Sequence, residues 1–512
     1  MNRSAVRALQ APQTQVARGD LLVLTEAGDP LRGPVPCPAA PLIAGSLRRR
    51  GLHCVLGPVH RLDEVDGIAG AAVYLAICDQ RDGSVAGLGA AAAGADRRAA
   101  AAAMAAVEEW AAVTGTRRLV LAGRPWCGGA LRALEAARRM VTTYGTPDGP
   151  AVPAQARHFG GDGDDGPAGD SYDGLAGGAG GEAGGAGGGA GSAGGGAGAA
   201  GDGSRAAGLQ AAARYAEGPA GPASGAGPAA GAPGRPVYIL GELAGPPEAL
   251  SDLAAGGAVA ITSLDGLAPG DVVVFPAAGV APSVLAQAAA LGLTVMDATC
   301  PVVARVQDEA EQLTADGEDL LLIGLAAGAA AAGITGRAPG RATVVETAAG
   351  TAGLRVVDAR RVSYLLQPGI PVESATSMIA ALRSRFPAAR GPHPDALCYA
   401  PSDRAQTIRA VAAGSDLMLV LGDPDSADAR QACGLARAGG ARTQVIASAG
   451  DLTPALLSGV TAIGMAESTS APSALAGQII AALSGLGPLS VARRQVGTTV
   501  TDGPPAEAAR PR

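Results

Sequence analysis

Along most of the chain, short apolar runs alternate with longer segments whose apolar residues recur at helical spacing. VYILGEL, GDVVVFP, DLLLIG, RVSYLLQ, DLMLVLG, RTQVIAS and GVTAIGM are nearly continuous apolar stretches. Such runs predict strands buried on both faces, hence parallel sheets with right-handed crossovers through the intervening helices. From residue 117 onward one theme recurs: RRLVLAG leads into RPWCGGALRALEAARRMV, GLTVMDATC into PVVARVQDEAEQL, and ALCYAPSDRAQTIRAVA precedes DLMLVLG. In each unit a cysteine sits at a strand end or a helix mouth. Parallel sheets gather their loops at the carboxyl ends of the strands, so three such units can bring three cysteines to one centre.

Residues 19–116 carry the runs LLVLT, HCVLG and AAVYLAIC with an Arg-bearing helix and a long Ala-rich helix, which predicts a separate small α/β unit of unknown role. Its GLGAAAAG string lacks the spacing of a dinucleotide loop and reads as structure. The pattern vanishes over 146–234, where runs such as GGAGGEAGGAGGGAGSAGGGAGAAGDGS hold almost nothing able to pack. This predicts a disordered Gly/Ala-rich insert. Closing such a loop costs only about 2–3 kcal/mol more than closing a short one, so it can interrupt a domain without destroying it. Residues 1–18 and 489–512 read as disordered ends, which leaves 117–145 with 235–488 as the main domain.

Composition narrows the functions. The chain has 512 residues, 48% hydrophobic but only 2% aromatic, and a net charge of −7. Few stacking platforms and no basic excess argue against nucleic acid as a partner. No secretory signal and no uninterrupted membrane-length apolar run are visible, so a cytoplasmic protein is expected. Lysine is absent, which excludes Walker-type phosphate loops and Schiff-base chemistry. The histidines, His53, His60, His158 and His393, are too scattered for a zinc site. His393, between two prolines, is expected to be solvent-exposed rather than catalytic.

Seven cysteines are an odd number spread through a long chain, unlike a disulfide framework. A thiolate near a helix amino terminus is favoured by unsatisfied N–H groups and the helix dipole, the condition a metal ligand needs. Small buried cysteines in Ala-rich cores are the competing explanation, since single cysteines so far apart carry no local C-x-x-C signature.

The segments themselves decide between these. Asp297 to Pro301 spell D-A-T-C-P inside VVFPAAGVAPSVLAQAAALGLTVMDATCPVVARVQDEA. LVLAGRPWCGGALRALEAARRMV and LCYAPSDR, the latter keeping Cys398, Tyr399, Ala400 and Arg404, are similar to two further cysteine segments of the same family. VYILGEL, LLIGLAAGAAAAGITGR, LGDPDSADAR and GMAESTSAP follow in matching order. Over residues 117 to about 485, apart from the insert, the chain resembles the LytB family of 4-hydroxy-3-methylbut-2-enyl diphosphate reductases.

The resemblance implies an α/β protein with a three-lobed arrangement of small parallel sheets around a central 4Fe-4S cluster, with the N-terminal α/β unit added. It implies Cys127, Cys300 and Cys398 as cluster ligands and Ser426 and Ser470 as remnants of a diphosphate site. It further implies two-electron removal of an allylic hydroxyl in isoprenoid precursor biosynthesis, with electrons from a ferredoxin or flavodoxin. Other pocket positions depart from the family: Gly245, Ala278, Gly328 and Ala330 stand where acid–base side chains belong, and Leu366 to Gly369 lack threonine. No catalytic acid is identified, which keeps open a divergent homologue that retains the cluster without this reaction. Asp428 replaces an asparagine, and at about 5 Å and an effective dielectric near 20 it repels each phosphate charge by about 3 kcal/mol unless Arg404 or Arg430 compensates.

Overall fold

The computed structural model describes residues 7–11, 21–29, 32–59, 71–80, 82–93, 96–145 and 236–498. The insert expected over 146–234 lies outside them, as do the remaining parts of the two ends. Three parallel sheets carry the main domain. Thr294–Asp297, Val272–Phe275, Val237–Leu240 and Ala258–Ile261 form the first in that order. Ala342–Val345, Asp319–Ile323 and Val362–Leu366 form the second. Arg442–Ile446, Leu417–Leu421, Ala462–Glu467, Arg117–Leu121 and Leu489–Arg493 form the third. Central strands such as Val272–Phe275 and Leu417–Leu421 are buried along their whole length, as two-sided coverage requires.

Helix Gly128–Tyr144 leaves the third sheet and docks on the first, packing Ala133, Leu134, Ala137 and Met140 against Val237, Ile239, Val272 and Val274. Two lobes are thereby tied together by the segment that carries Cys127.

The N-terminal unit is a mainly antiparallel six-stranded sheet with helices Ala40–Arg49 and Arg97–Ala112. Its one parallel pair, Leu21–Asp29 with Cys54–Val59, is joined through helix Ala40–Arg49. This unit shares a continuous core with the third sheet: Ile43, Leu47 and Trp110 lie in one apolar cluster with Leu417, Leu419, Ile463 and Ile479. Trp110 is fully buried and donates its indole N–H to Ser46 Oγ at 3.0 Å. Helix Ala40–Arg49 comes so close to the turn at Ala449–Asp451 that a Cβ on Gly45 would collide with the backbone of Gly450.

Two expectations at the ends are corrected. Arg7–Ala11 is a strand paired with Ala71–Asp79, and Leu489–Arg493 is a strand paired with Arg117–Leu121. Both are short edge strands, ordered by a neighbour's backbone rather than by an apolar pattern of their own. Among the described residues no helix is long and apolar enough to cross a membrane.

Candidate metal centre and the adjoining cavity

All three cysteines of the repeated theme sit where a helix begins. Cys127 is the N-cap of helix Gly128–Tyr144, and its Sγ accepts the Ala130 N–H at 3.4 Å. Cys300 is the N-cap of helix Pro301–Ala315. Its backbone N–H donates to Ala277 O at 2.9 Å, which fixes the turn leaving strand Thr294–Asp297. Cys398 lies just before helix Ala400–Ala412.

Cys127 and Cys300 approach one another at Gly129, and Cys127 and Cys398 line one cavity. A Cβ on Gly129 would fall 2.6 Å from Cys300 Sγ and 3.7 Å from Cys127 Sγ, so a side chain there would intrude between segments from two lobes. Burial pushes the Cys398 thiol up; N–H groups of Ala400 and Gly369 oppose this, while Cys127 and Cys300 raise it further as like charges. Among the described residues no three Cys, His, Asp or Glu side chains are close enough to hold a single metal ion. A polynuclear cluster spreads its thiolates wider than one ion does, and the donor set here, two thiols drawn together at Gly129 and a third on the cavity that Cys127 lines, with N–H groups aimed at two of the three, fits that larger group. All seven cysteines are free of disulfides, and of the other four Cys37, Cys54 and Cys433 are buried.

Beside Cys127 and Cys398 opens a cavity of about 960 Å³ lined by Arg124, Arg404, Arg409 and Arg430 together with Glu373, Asp403 and Asp428. Arg404 holds Asp428 in a fork, Nη1 to Oδ1 at 2.6 Å and Nη2 to Oδ2 at 3.1 Å. The Thr469 N–H donates to the same carboxylate at 2.7 Å. The compensation that Asp428 requires is thus present, and it comes from Arg404. Burial opposes ionisation of Glu373, yet hydrogen bonds from Ser402, its own backbone and Gln406, aided by Arg409, hold it below the usual carboxylate range.

Ser426 caps helix Ala427–Ala438, accepting the Ala429 N–H at 3.1 Å, and Ser470 Oγ accepts the Asp423 N–H at 2.9 Å. Both hydroxyls thus border one loop. Positions 245 and 278 offer no acid or base. A Cβ on Gly245 would meet Leu134 at 3.1 Å, and one on Gly279, beside Ala278, would meet the Gln307 amide at 2.6 Å. Gln367 Oε1 accepts the Leu325 N–H at 2.8 Å. His393 is exposed, as its neighbouring prolines led one to expect, and its backbone N–H faces Glu309.

Sequence reasoning overlooked Arg132, whose Nη2 lies 3.9 Å from Cys300 Sγ. The signal was available, since Arg132 stands five residues after Cys127 on a helix whose first turn carries the thiol. Glu373 was also missed. It belongs to no motif, and only the fold brings it to Ser402 at 2.6 Å.

The sequence model of the LytB protein family matches residues 226–484, a span that includes Cys300 and Cys398 and begins after Cys127. A 4-hydroxy-3-methylbut-2-enyl diphosphate reductase 2 of Mycobacterium bovis is 36% identical over 277 residues, covering 53% of this chain and 84% of the relative. A 4-hydroxy-3-methylbut-2-enyl diphosphate reductase of Cereibacter sphaeroides is 35% identical over 251 residues, 49% and 79% of the two chains. In fold, the chain is similar to the E-1-hydroxy-2-methyl-but-2-enyl-4-diphosphate reductase from Plasmodium falciparum, with a TM-score of 0.50 and 16% identity over 76% of this chain and 95% of that one.

Proposed function

The chain belongs to the LytB family, and from that premise we propose that Cys127, Cys300 and Cys398 hold a 4Fe-4S cluster in a reductase of (E)-4-hydroxy-3-methylbut-2-enyl diphosphate. It works in the cytoplasm, in the non-mevalonate route to isoprenoid precursors. The single observation that carries this reading is the approach of two helix-capping thiols, Cys127 and Cys300, at Gly129, with Cys398 lining the same cavity as Cys127. When bound, the cluster supplies electrons and an iron that lacks a protein ligand. Overall the allylic C–O bond breaks and two electrons enter from a donor of ferredoxin or flavodoxin type. One proton leaves with the hydroxyl as water and a second ends on an allylic carbon, giving isopentenyl and dimethylallyl diphosphates.

The chain's own residues bind and orient. Ser426 keeps its hydroxyl proton to donate, because its oxygen accepts from Ala429, and the N–H groups of helix Ala427–Ala438 favour an anion at that end. Ser470 stands across the same loop, and Arg404 removes the charge of Asp428 that would repel a diphosphate. Glu373, held ionised, is unsuited to deliver a proton at neutral pH.

One observation favours a second reading: Gly245, Ala278, Gly328 and Ala330 carry no proton-transferring side chain. On that reading the chain keeps the cluster and serves as a redox-responsive or iron-responsive protein, or acts on another substrate. Anaerobic purification followed by iron and sulfide assays separates the outcomes, with about four irons per chain expected. An iron-free protein overturns both readings. Iron-loaded protein that turns over the allylic diphosphate with a strong reductant supports the first, and loaded protein without product, beside an active control reductase, leaves the second.

A further inference from the structure

The three thiols do not share one environment. Cys127 receives the Ala130 backbone N–H, and Cys398 those of Ala400 and Gly369. The donor to Cys300 is instead a charged side chain, Arg132, whose Nη2 lies 3.9 Å from the sulfur. Arg132 folds back over the first turn of its own helix: its Nη1 would lie 3.7 Å from a Cβ on Gly128, and the glycine at 129 lets Cys300 approach that turn. The guanidinium therefore reaches from the helix that begins at Cys127 to the thiol that caps the next cysteine helix.

We propose that Arg132 is a positioning residue that sets the electron affinity of the centre through the Cys300 thiolate. The inference rests on the reading that the three cysteines hold a cluster. Reduction adds negative charge, and hydrogen bonds and positive charge at the ligating sulfurs favour the reduced form. Backbone N–H groups provide this at the other two thiols as neutral dipoles. At Cys300 the donor carries a full charge, and a charge-assisted hydrogen bond is the stronger kind. Arg132 is exposed, so solvent moderates the effect without removing it.

The test uses the full-length holoprotein and the variants Arg132→Met and Arg132→Lys. Iron and sulfide are assayed first, and the ratio of reduced to oxidised cluster is then read by electron paramagnetic resonance at a fixed solution potential. Arg132→Met is expected to lower that ratio about fivefold, the worth of one ordinary hydrogen bond, since solvent reduces the larger worth of a donor to a charged group. Arg132→Lys, which keeps the charge, should restore most of it. Full iron with an unchanged ratio in Arg132→Met overturns this inference alone, whereas an iron-free wild type overturns the cluster reading as well. Should Arg132→Met load poorly, Arg132→Lys decides: loading and ratio restored together support the role of the charge, and loading restored with a lowered ratio overturns it.

Discussion

Replacing Gly129 with alanine sets two effects against each other at one atom. In a helix this exchange favours folding by about 0.5–1 kcal/mol, because alanine has less backbone freedom to lose. Here the new methyl would stand 2.6 Å from Cys300 Sγ and 3.0 Å from Cys300 Cβ. Ordinary non-bonded contact needs about 3.5–4.0 Å, so the thiol must retreat by about 1 Å. Metal–ligand distances tolerate only about 0.2 Å. Overpacking typically costs about 1–3 kcal/mol, which outweighs the helix gain and falls on the sulfur rather than on the core. Gly129→Ala is expected to lower the melting temperature of the metal-free chain slightly and to weaken cluster retention about tenfold. Gly128→Ala is the control, since its methyl would meet nothing nearer than Arg132 Nη1 at 3.7 Å. Iron per chain after anaerobic desalting, set beside thermal melts of both variants, measures this. A Gly129→Ala protein with wild-type iron and spectrum would refute the assigned convergence of Cys127 and Cys300.

Arg404→Met leaves the half-buried Asp428 carboxylate unpaired and should lower stability by about 2 kcal/mol in chemical denaturation, with Arg404→Met/Asp428→Asn recovering most of it. Equal losses in the single and double variants would show that the pair does not neutralise Asp428. Trp110→Ala removes a fully buried ring from the core shared with the third sheet and should cost about 3–5 kcal/mol, read as a lower midpoint of the whole chain. Separate melting of the N-terminal unit, with the rest unmoved, would contradict a shared core. Burial, with Glu26 beside it, pushes the Cys37 thiol from 9.0 up to about 12 against one N–H from Gly87. The folded chain therefore keeps that proton where the unfolded chain has lost it. This contribution is complete below pH 9.0 and lost as the pH rises toward about 12, so Cys37→Ala should flatten the alkaline fall in unfolding free energy. An alkaline limb of unchanged slope in the variant would remove Cys37 as its source.

Much of the architecture was legible because it is written in local pattern. Continuous apolar runs such as DLLLIG and DLMLVLG have no polar face to leave in water, so they can only be strands covered on both sides. Cysteines placed at helix mouths were visible for the same reason: Cys127 and Cys300 are N-caps in the structure, as their positions before amphipathic helices required. What local pattern cannot express is which surfaces meet. Trp110 and Leu419 are far apart in the chain, and only their packing in one core shows that the N-terminal unit covers the third sheet. Edge strands Arg7–Ala11 and Leu489–Arg493 carry too little apolar periodicity to be read before a partner is known.

The site divides in the same way. The residue types and spacing of the three cysteine segments were determined by the sequence, since a thiol beside a helix start is a local arrangement. Whether Asp428 confronts a substrate as a bare charge was decided only by folding, which brings Arg404 from a neighbouring helix within 2.6 Å. The contact of Arg132 with Cys300, and the closeness that makes a glycine necessary at 129, arise where two lobes touch. Charge pairing and steric exclusion act over a few ångströms of space, whatever the separation along the chain, and those distances exist only in the tertiary structure.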